Sequence, residues 1–108
     1  MDDLKRNANE FEESGIDNLK KERWNAAVAD FFRAISNTCD YIIYKKIKIL
    51  PKNHNERFNI LERYFKEIYI NLKDLFKMYR DSYNIRMKKE DAEEVKKYLN
   101  ELKNYNLN

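Results

Sequence analysis

The chain has 108 residues, of which 43% are hydrophobic and 38% charged, and its formal net charge is +3. This length suits one domain and is too short for two with separate cores, so we expect a single helical domain over residues 1–108. One Gly and one Pro leave almost no material for β-turns, which predicts an all-α fold. The sequence contains no apolar run of about 18 residues and no signal-peptide pattern at its start. We therefore expect a cytoplasmic protein with no membrane partner.

The first predicted helix runs from about residue 3 to residue 22. Its apolar residues, from Leu4 to Leu19, recur every three or four positions, as on one face of an amphipathic helix. Gly15 lies within this face. It predicts either a close contact with a neighbouring helix or a kink, and the close contact is the favoured interpretation.

The second predicted helix, from Trp24 to about Ile49, is expected to lie at the centre of the fold. Its apolar residues cover most of the helix circumference, so other helices should pack against it on more than one side. The single cysteine, Cys39, lies in this apolar row and is interpreted as a buried hydrophobic residue and not as a nucleophile. Pro51 prevents the helix from continuing.

The third predicted helix begins near Asn53, which forms a capping pair with Glu56, and extends to Tyr83. Its apolar residues alternate steps of three and four between Phe58 and Tyr79 without a fault, which is nearly a heptad repeat. Five more apolar residues lie outside this row and predict a surface for self-association. We therefore expect a homodimer with twofold symmetry. These five residues are Ile60, Tyr64, Tyr69, Phe76 and Met78.

A fourth helix is predicted at the end of the chain. Glu90 and Asp91 suit its first turn, and its apolar positions are Ala92, Val95, Leu99 and Leu102. The four helices predict an up-and-down bundle with short links and with room for a fifth, short helix.

A short internal repeat suggests a different architecture. Residues 22–25 read E-R-W-N and residues 56–59 read E-R-F-N, a period of 34 residues that is typical of tetratricopeptide repeats. However, no breaker divides the second helix before Pro51, and no third copy follows at Ala92. A tetratricopeptide-like adaptor is therefore the less favoured alternative.

Three segments share a pattern with a known family. They are N-L-K-K-E-R-W-N-A-A-V-A-D-F-F-R-A-I at residues 18–35, K-N-H-N-E-R-F at 52–58, and M-Y-R-D-S-Y-N at 78–84 followed by K-K-E-D-A-E-E-V. The chain thereby resembles the HEPN domain, the nucleotide-binding domain of higher eukaryotes and prokaryotes. This resemblance implies a bundle of four or five helices, often dimeric, that acts on nucleotides or RNA. It also implies a nucleotidyltransferase partner, as in toxin-antitoxin pairs.

Active ribonucleases of that family carry an Arg followed four to six residues later by a His, and this chain departs from the pattern. Arg80 falls at the arginine position, but Asn84, Ile85 and Arg86 occupy the histidine positions, and none of them works as a general acid or base near neutral pH. His54, the only histidine, is interpreted as an exposed or capping loop residue. We expect a protein with no or weak ribonuclease activity. No metal or other cofactor is expected, because metal-ligand spacings and phosphate loops are missing.

Two groups of residues are candidate binding sites. The resemblance places the first beside a dimer cleft, where it would contact a nucleotide or phosphate, and this group comprises Tyr79, Arg80, Tyr83 and Lys77. The second is a basic patch near Tyr41 and Tyr44 that could hold a phosphate backbone and stack a base, and it comprises Lys45, Lys46, Lys48, Lys52 and Arg57. The simpler alternatives are a surface ion pair for the first group and lysines at a helix C-terminus for the second.

Two functions from different classes stay open. In the first, the protein is a HEPN-like component that binds nucleotide, RNA or a nucleotidyltransferase partner. In the second, it is a self-associating helical module, or a tetratricopeptide-like adaptor, with no nucleotide ligand.

Overall fold

The computed structural model describes residues 2–105 and residue 107. In this part of the chain the backbone forms α-helices and no strand, which confirms the all-α prediction. The helices are α1 (Asp2–Lys20), α2 (Trp24–Ile47), α3 (His54–Tyr64), α4 (Lys66–Asp81) and α5 (Lys89–Lys103). None of these helices combines the length and the apolar character needed to cross a bilayer.

Helix α2 lies at the centre of the fold, as its wide apolar surface predicts. It contacts each of the other four helices and contributes more buried residues than any of them. Phe31, Phe32 and Ile35 are among its fully buried side chains. Cys39 is also fully buried, and this burial raises the pKa of its thiol to about 12. The thiol is therefore part of the core and is not ionised near neutral pH.

Helices α1 and α2 form an antiparallel pair. Gly15 lies against Phe31, and Lys5, ten residues earlier, lies over the ring of Tyr41, ten residues later. A Cβ atom at Gly15 would stand 2.6 Å from the Phe31 ring, which is shorter than real Cβ contacts. The glycine therefore permits a close helix contact, which confirms the favoured interpretation.

Helix α1 ends at Lys20, two residues before its predicted end. Glu22 adopts a left-handed conformation with φ 57°. The amide of Arg23 donates to the carbonyl of Asn18 at 2.9 Å, and the amide of Glu22 donates to the carbonyl of Leu19 at 3.1 Å. These two bonds form a Schellman motif, in which glycine is the usual left-handed residue. Because Glu22 takes that place, the sequence lacks the ordinary stop signal.

The predicted third helix is two helices in the structure, so the prediction of one continuous helix was wrong. The backbone leaves the helical conformation at Phe65, where φ is −138° and ψ is 57°. The apolar row continues through the break, since Leu61, Phe65 and Ile68 are all buried. A regular spacing of apolar residues therefore does not reveal that the backbone turns at Phe65. The predicted cap at the start of α3 is present, because the Asn53 side chain accepts a hydrogen bond from the amide of Glu56 at 2.9 Å.

Helices α4 and α5 complete the core around α2. Helix α4 runs antiparallel to α2, since Phe32 stacks on Tyr79 and Asn25, earlier in α2, bonds to Ser82. The link before α5 is bonded to Asn25 through the amide of Met87. The other end of α5 reaches α1, where Lys103 pairs with Glu12 at 2.8 Å. The short helix α3 lies between α2 and α4 in the sequence and contacts both of them.

The apolar surface expected to form a homodimer is smaller than the spacing predicts. Of the five residues outside the apolar row, only Tyr64 is largely exposed, at 53%. The other four are partly buried against the core, namely Ile60, Tyr69, Phe76 and Met78. Most of this surface therefore stabilises the fold of the single chain.

Candidate functional site

One face of α4 and the turn that follows it presents aromatic and basic side chains. Phe76, Tyr79, Arg80 and Tyr83 are spaced by three and four residues and therefore lie on the same side of the helix. The guanidinium carbon of Arg80 lies 5.0 Å from the centre of the Phe76 ring. The hydroxyls of Tyr79 and Tyr83 are 2.9 Å apart. Three residues of the first predicted site, Tyr79, Arg80 and Tyr83, are thus brought together.

Helix α2 packs against this face of α4 and adds a second arginine. The Phe32 ring stacks on the Tyr79 ring with 4.7 Å between centres and 17° between planes. Arg33 lies one residue further, with one guanidinium nitrogen 3.4 Å from the Tyr83 hydroxyl and another 3.1 Å from the Asp30 carboxylate. Arg33 therefore keeps its position through two partners and stays partly exposed, at 39% of its side chain.

His54, the first residue of α3, completes the group. Its ring centre lies 4.9 Å from that of Phe76 and 6.1 Å from that of Tyr79. We refer to these six residues as the α4 surface: Arg33, His54, Phe76, Tyr79, Arg80 and Tyr83.

The positive charge of the α4 surface is carried mainly by Arg80, because Arg33 is paired with Asp30 at 3.1 Å. Arg80 is exposed, and within the described residues no carboxylate lies within 4.0 Å of its guanidinium. Lys77, the fourth residue of the first predicted site, instead pairs with Asp81 at 3.0 Å and is 72% exposed. An exposed pair of this kind adds little net attraction for an anion.

The two tyrosines of the α4 surface differ in acidity. The hydrogen bond shared with Tyr79, together with Arg33, lowers the pKa of the exposed Tyr83 hydroxyl. Burial and the same hydrogen bond raise the pKa of Tyr79. Tyr83 therefore presents an oxygen already bonded to Arg33 and Tyr79, while the residue as a whole is 63% exposed.

A buried network behind the α4 surface was missed from the sequence. Arg57 donates from Nε and Nη2 to the two oxygens of Asp40 at 2.7 and 2.8 Å, and its Nη1 lies 2.7 Å from Nδ1 of His54. Because a guanidinium can only donate hydrogen bonds, Nδ1 of His54 must accept, which places the ring proton on Nε2. Burial and the nearby Arg57 lower the pKa of His54. The ring is thus held neutral near neutral pH, with Nε2 as a donor.

Two predictions are corrected by this network. Arg57 does not belong to a surface basic patch, because its side chain is only 10% exposed and its charge is paired with Asp40. His54 is not an exposed loop residue, because its ring packs among aromatic side chains. The residue in the sequence that could have indicated this network is Asp40. It lies among the apolar residues of α2, and a charge in a core requires a partner.

The lysines of the predicted basic patch are exposed at one end of the molecule. They are Lys45, Lys46 and Lys48 at the end of α2 and Lys52 in the loop that follows. The ammonium of Lys45 lies 5.7 Å from the centre of the Tyr41 ring, and that of Lys48 lies 5.4 Å from the Tyr44 ring. This patch shares no residue with the α4 surface.

The Asn25 side chain fixes the turn that carries Tyr83. Its amide nitrogen donates to the carbonyls of Ser82 and Ile85 at 2.7 and 2.8 Å, and its oxygen accepts from the amide of Met87 at 3.0 Å. One side chain at the start of α2 therefore holds both sides of the link between α4 and α5.

The α4 surface offers groups that suit the binding of an anion. The ring nitrogen of His54 that could act as a base accepts the Arg57 hydrogen bond, and the guanidinium groups of Arg33 and Arg80 keep their protons. No group of three or more metal-binding side chains occurs among the residues that the structure describes. The surface offers fixed cations and aromatic rings, which suit an anion attached to a flat ring.

Comparison of the chain with family models, curated proteins and solved structures gave no match. The resemblance to the HEPN family therefore depends on the three sequence segments alone.

Proposed function

We propose that this protein is a HEPN-like helical protein that binds a nucleotide or single-stranded RNA through the α4 surface and does not cleave it. The observation that carries the proposal is the position of Arg80, whose exposed guanidinium lies over Phe76 beside two tyrosines. The sequence resemblance supports the class of ligand, and the geometry supports the residues.

The phosphate and the base of a nucleotide each have a matching group on the α4 surface. Arg80 can donate paired hydrogen bonds to phosphate oxygens, whereas Arg33 already donates to Asp30 and Tyr83. The exposed Tyr83 ring can stack against a base, which contributes about 1–3 kcal/mol per base in single-strand binders. His54 adds a neutral donor at Nε2, which bonds to an oxygen without removing a proton from the ligand.

Cleavage requires a group that moves a proton, and the α4 surface lacks one that is suitably poised. General acid and base catalysis supplies about two to four decades of rate. Asn84, Ile85 and Arg86, at the histidine positions of the family's ribonucleases, are exposed in the turn and link after α4, and none of these side chains exchanges protons near neutral pH. This is the physical basis for proposing binding without turnover.

A homodimer is part of the proposal. Tyr83 and Ile85, at 63% and 55% exposure, lie beside Arg80 in the chain. A twofold contact at Ile85 that leaves Tyr83 open would bring two copies of Arg80 close together and strengthen the positive potential. A nucleotidyltransferase could cover the same residues in place of the second copy.

The alternative function is a self-associating module without a ligand. The observation in its favour is the same exposure of Tyr83 and Ile85, because apolar residues at a surface also suit protein contacts. This alternative predicts a dimer whose formation is indifferent to nucleotide and phosphate.

Calorimetric titration with ATP and with a short single-stranded RNA at low salt tests the proposal. We expect Arg80→Ala to weaken binding at least about tenfold, since a charge-assisted hydrogen bond contributes about 1.5–3 kcal/mol. Arg63→Ala is the matched control, because Arg63 is also exposed and lies over a ring, 5.4 Å from the centre of Tyr64 on α3. Equal losses in both variants would exclude the α4 surface, and no binding by the wild type would favour the module without a ligand.

Incubation with the same RNA tests the absence of cleavage. We expect intact RNA with the wild type and with Arg80→Ala. Cleavage by the wild type that is lost in Arg80→Ala would contradict the non-catalytic part of the proposal.

A further inference from the structure

The loop between α2 and α3 presents two aliphatic side chains to solvent. Ile49 and Leu50 are neighbours in the chain and are 42% and 43% exposed. Both side chains are entirely aliphatic and gain nothing from contact with water. The loop around them is fixed at both ends. Lys48 caps α2 in a left-handed conformation with its amide bonded to the Tyr44 carbonyl, and Asn53 caps α3. Pro51, directly after the pair, is buried. The exposed pair is therefore held outward by a defined loop.

Lysines surround this aliphatic pair. Lys45, Lys46, Lys48 and Lys52 are exposed within four residues of Ile49 or Leu50, and no acidic residue occurs between Asp40 and Glu56. Lys5, from α1, adds its ammonium over the Tyr41 ring at 5.1 Å. Asp2 and Asp3, one turn earlier in α1, offset part of this charge.

We infer that this loop and its lysines form a contact surface for an anionic lipid bilayer. In this arrangement Ile49 and Leu50 enter the boundary between headgroups and acyl chains, while the lysines contact the negative headgroups. The charge is complementary to such a surface, and each lysine near it strengthens binding about fivefold. The two aliphatic side chains supply the apolar part of the interaction, as in proteins that lie on a membrane without crossing it.

The same residues suit a nucleic acid less well. Base stacking requires open aromatic faces, whereas Tyr41 and Tyr44 are only partly exposed and their rings already carry lysine ammoniums. An exposed Ile and Leu gain nothing from a phosphate backbone. The exposed Ile49 and Leu50 are therefore the observation that favours a lipid surface over RNA as the ligand of this patch.

This inference departs from the sequence-based expectation of no membrane partner. That expectation depended on the lack of a long apolar run, and surface binding requires no such run. The inference is also independent of the proposed function, because the α4 surface lies on other residues.

Sedimentation of the full chain with lipid vesicles tests the inference. One set of vesicles contains phosphatidylcholine alone, and the other contains phosphatidylcholine mixed with phosphatidylserine. We expect binding to the mixed vesicles only, weakened by added salt. Ile49→Ser with Leu50→Ser should weaken it about tenfold, and Lys45→Glu with Lys52→Glu should weaken it at least about tenfold. All four positions are exposed, so these variants should keep the helical circular dichroism of the wild type.

Lys20→Glu with Lys89→Glu is the matched control. It makes the same change in net charge at exposed residues at the other end of α2, beside its start. An equal loss in this control would show attraction by total charge and would overturn the inference.

Two further outcomes would also overturn it. The first is unchanged vesicle binding by the variant that lacks Ile49 and Leu50. The second is failure of the wild type to bind mixed vesicles. If the protein fails to bind vesicles but binds polyuridylic acid through Lys45 and Lys52, the patch is a nucleic-acid surface.

Discussion

Arg57 and Asp40 join α3 to α2 through two hydrogen bonds of 2.7 and 2.8 Å, and both side chains are almost fully buried. Such a pair stabilises the folded state little compared with apolar residues of similar size. Removal of one partner, however, leaves a buried charge without a partner of opposite charge and is strongly destabilising. Because the third arginine contact is Nδ1 of His54, the pair also sets the orientation of a ring on the α4 surface.

Removal of either member of this pair should destabilise the protein more than removal of both. We expect Arg57→Met alone to lower the free energy of unfolding by about 3–5 kcal/mol, and Asp40→Leu with Arg57→Met to recover a large part of this loss. Urea unfolding followed by circular dichroism measures both. Additive losses in the double variant would mean that the two side chains do not depend on each other.

Stability should fall as the pH is lowered through the titration range of His54. Burial and Arg57 lower the pKa of His54 in the folded protein, so the unfolded chain binds a proton at a higher pH than the folded chain does. The contribution of neutral His54 is complete above the ordinary pKa of about 6.5 and is lost as the pH falls toward the lower pKa of the folded state. Urea midpoints at about pH 7.5 and about pH 5.5 should therefore differ.

The variant His54→Asn isolates this effect. Its side-chain oxygen can still accept the Arg57 hydrogen bond and does not titrate. Since His54 is the only histidine, the pH dependence in this range should become flatter in the variant. Identical curves for the two proteins would show that the protonation of His54 is not linked to folding.

Gly15→Ala should destabilise the protein although alanine favours helix formation. The gain in helix propensity is about 1 kcal/mol, but the new Cβ atom would stand 2.6 Å from the ring of the fully buried Phe31, so that the ring or the helix must shift to admit it. Overpacking of this kind costs about 1–3 kcal/mol. We expect a lower melting temperature in Gly15→Ala and partial recovery when Phe31→Leu is added. A higher melting temperature in the single variant would contradict the close contact.

The sequence predicts those features of the fold that depend on one helix at a time. The wide apolar surface of α2 indicates its central position, and the capping pair of Asn53 and Glu56 indicates the start of α3. Phe65 escapes prediction because a buried aromatic residue at a break keeps the apolar spacing that a continuous helix would have. Glu22 escapes it because the left-handed end of α1 lacks the usual glycine.

The candidate site is only partly predictable for a similar reason. Tyr79, Arg80 and Tyr83 share one helix face, so their spacing places them together. Arg33 and His54 come from α2 and α3, and their proximity depends on how three helices pack. The pairing of Asp40 with Arg57 likewise requires the tertiary fold, although a carboxylate in an apolar row indicates that some buried partner exists.

Asn25 should prove more important than its counterpart in the internal repeat. Its amide makes three hydrogen bonds to the backbone of Ser82, Ile85 and Met87, each of which contributes about 1 kcal/mol on balance. We therefore expect Asn25→Ala to lower the free energy of unfolding by about 3 kcal/mol.

The loss of Asn25 should also reach the α4 surface, because Tyr83 lies in the turn that this side chain fixes. Calorimetry should show weaker nucleotide binding by Asn25→Ala at a temperature where the variant is folded. Asn59→Ala is the control, since Asn59 occupies the same place in E-R-F-N and is exposed on α3. Surface substitutions of this kind usually change stability by less than about 0.5 kcal/mol. Equal effects at Asn25 and Asn59 would exclude Asn25 as the residue that positions the turn.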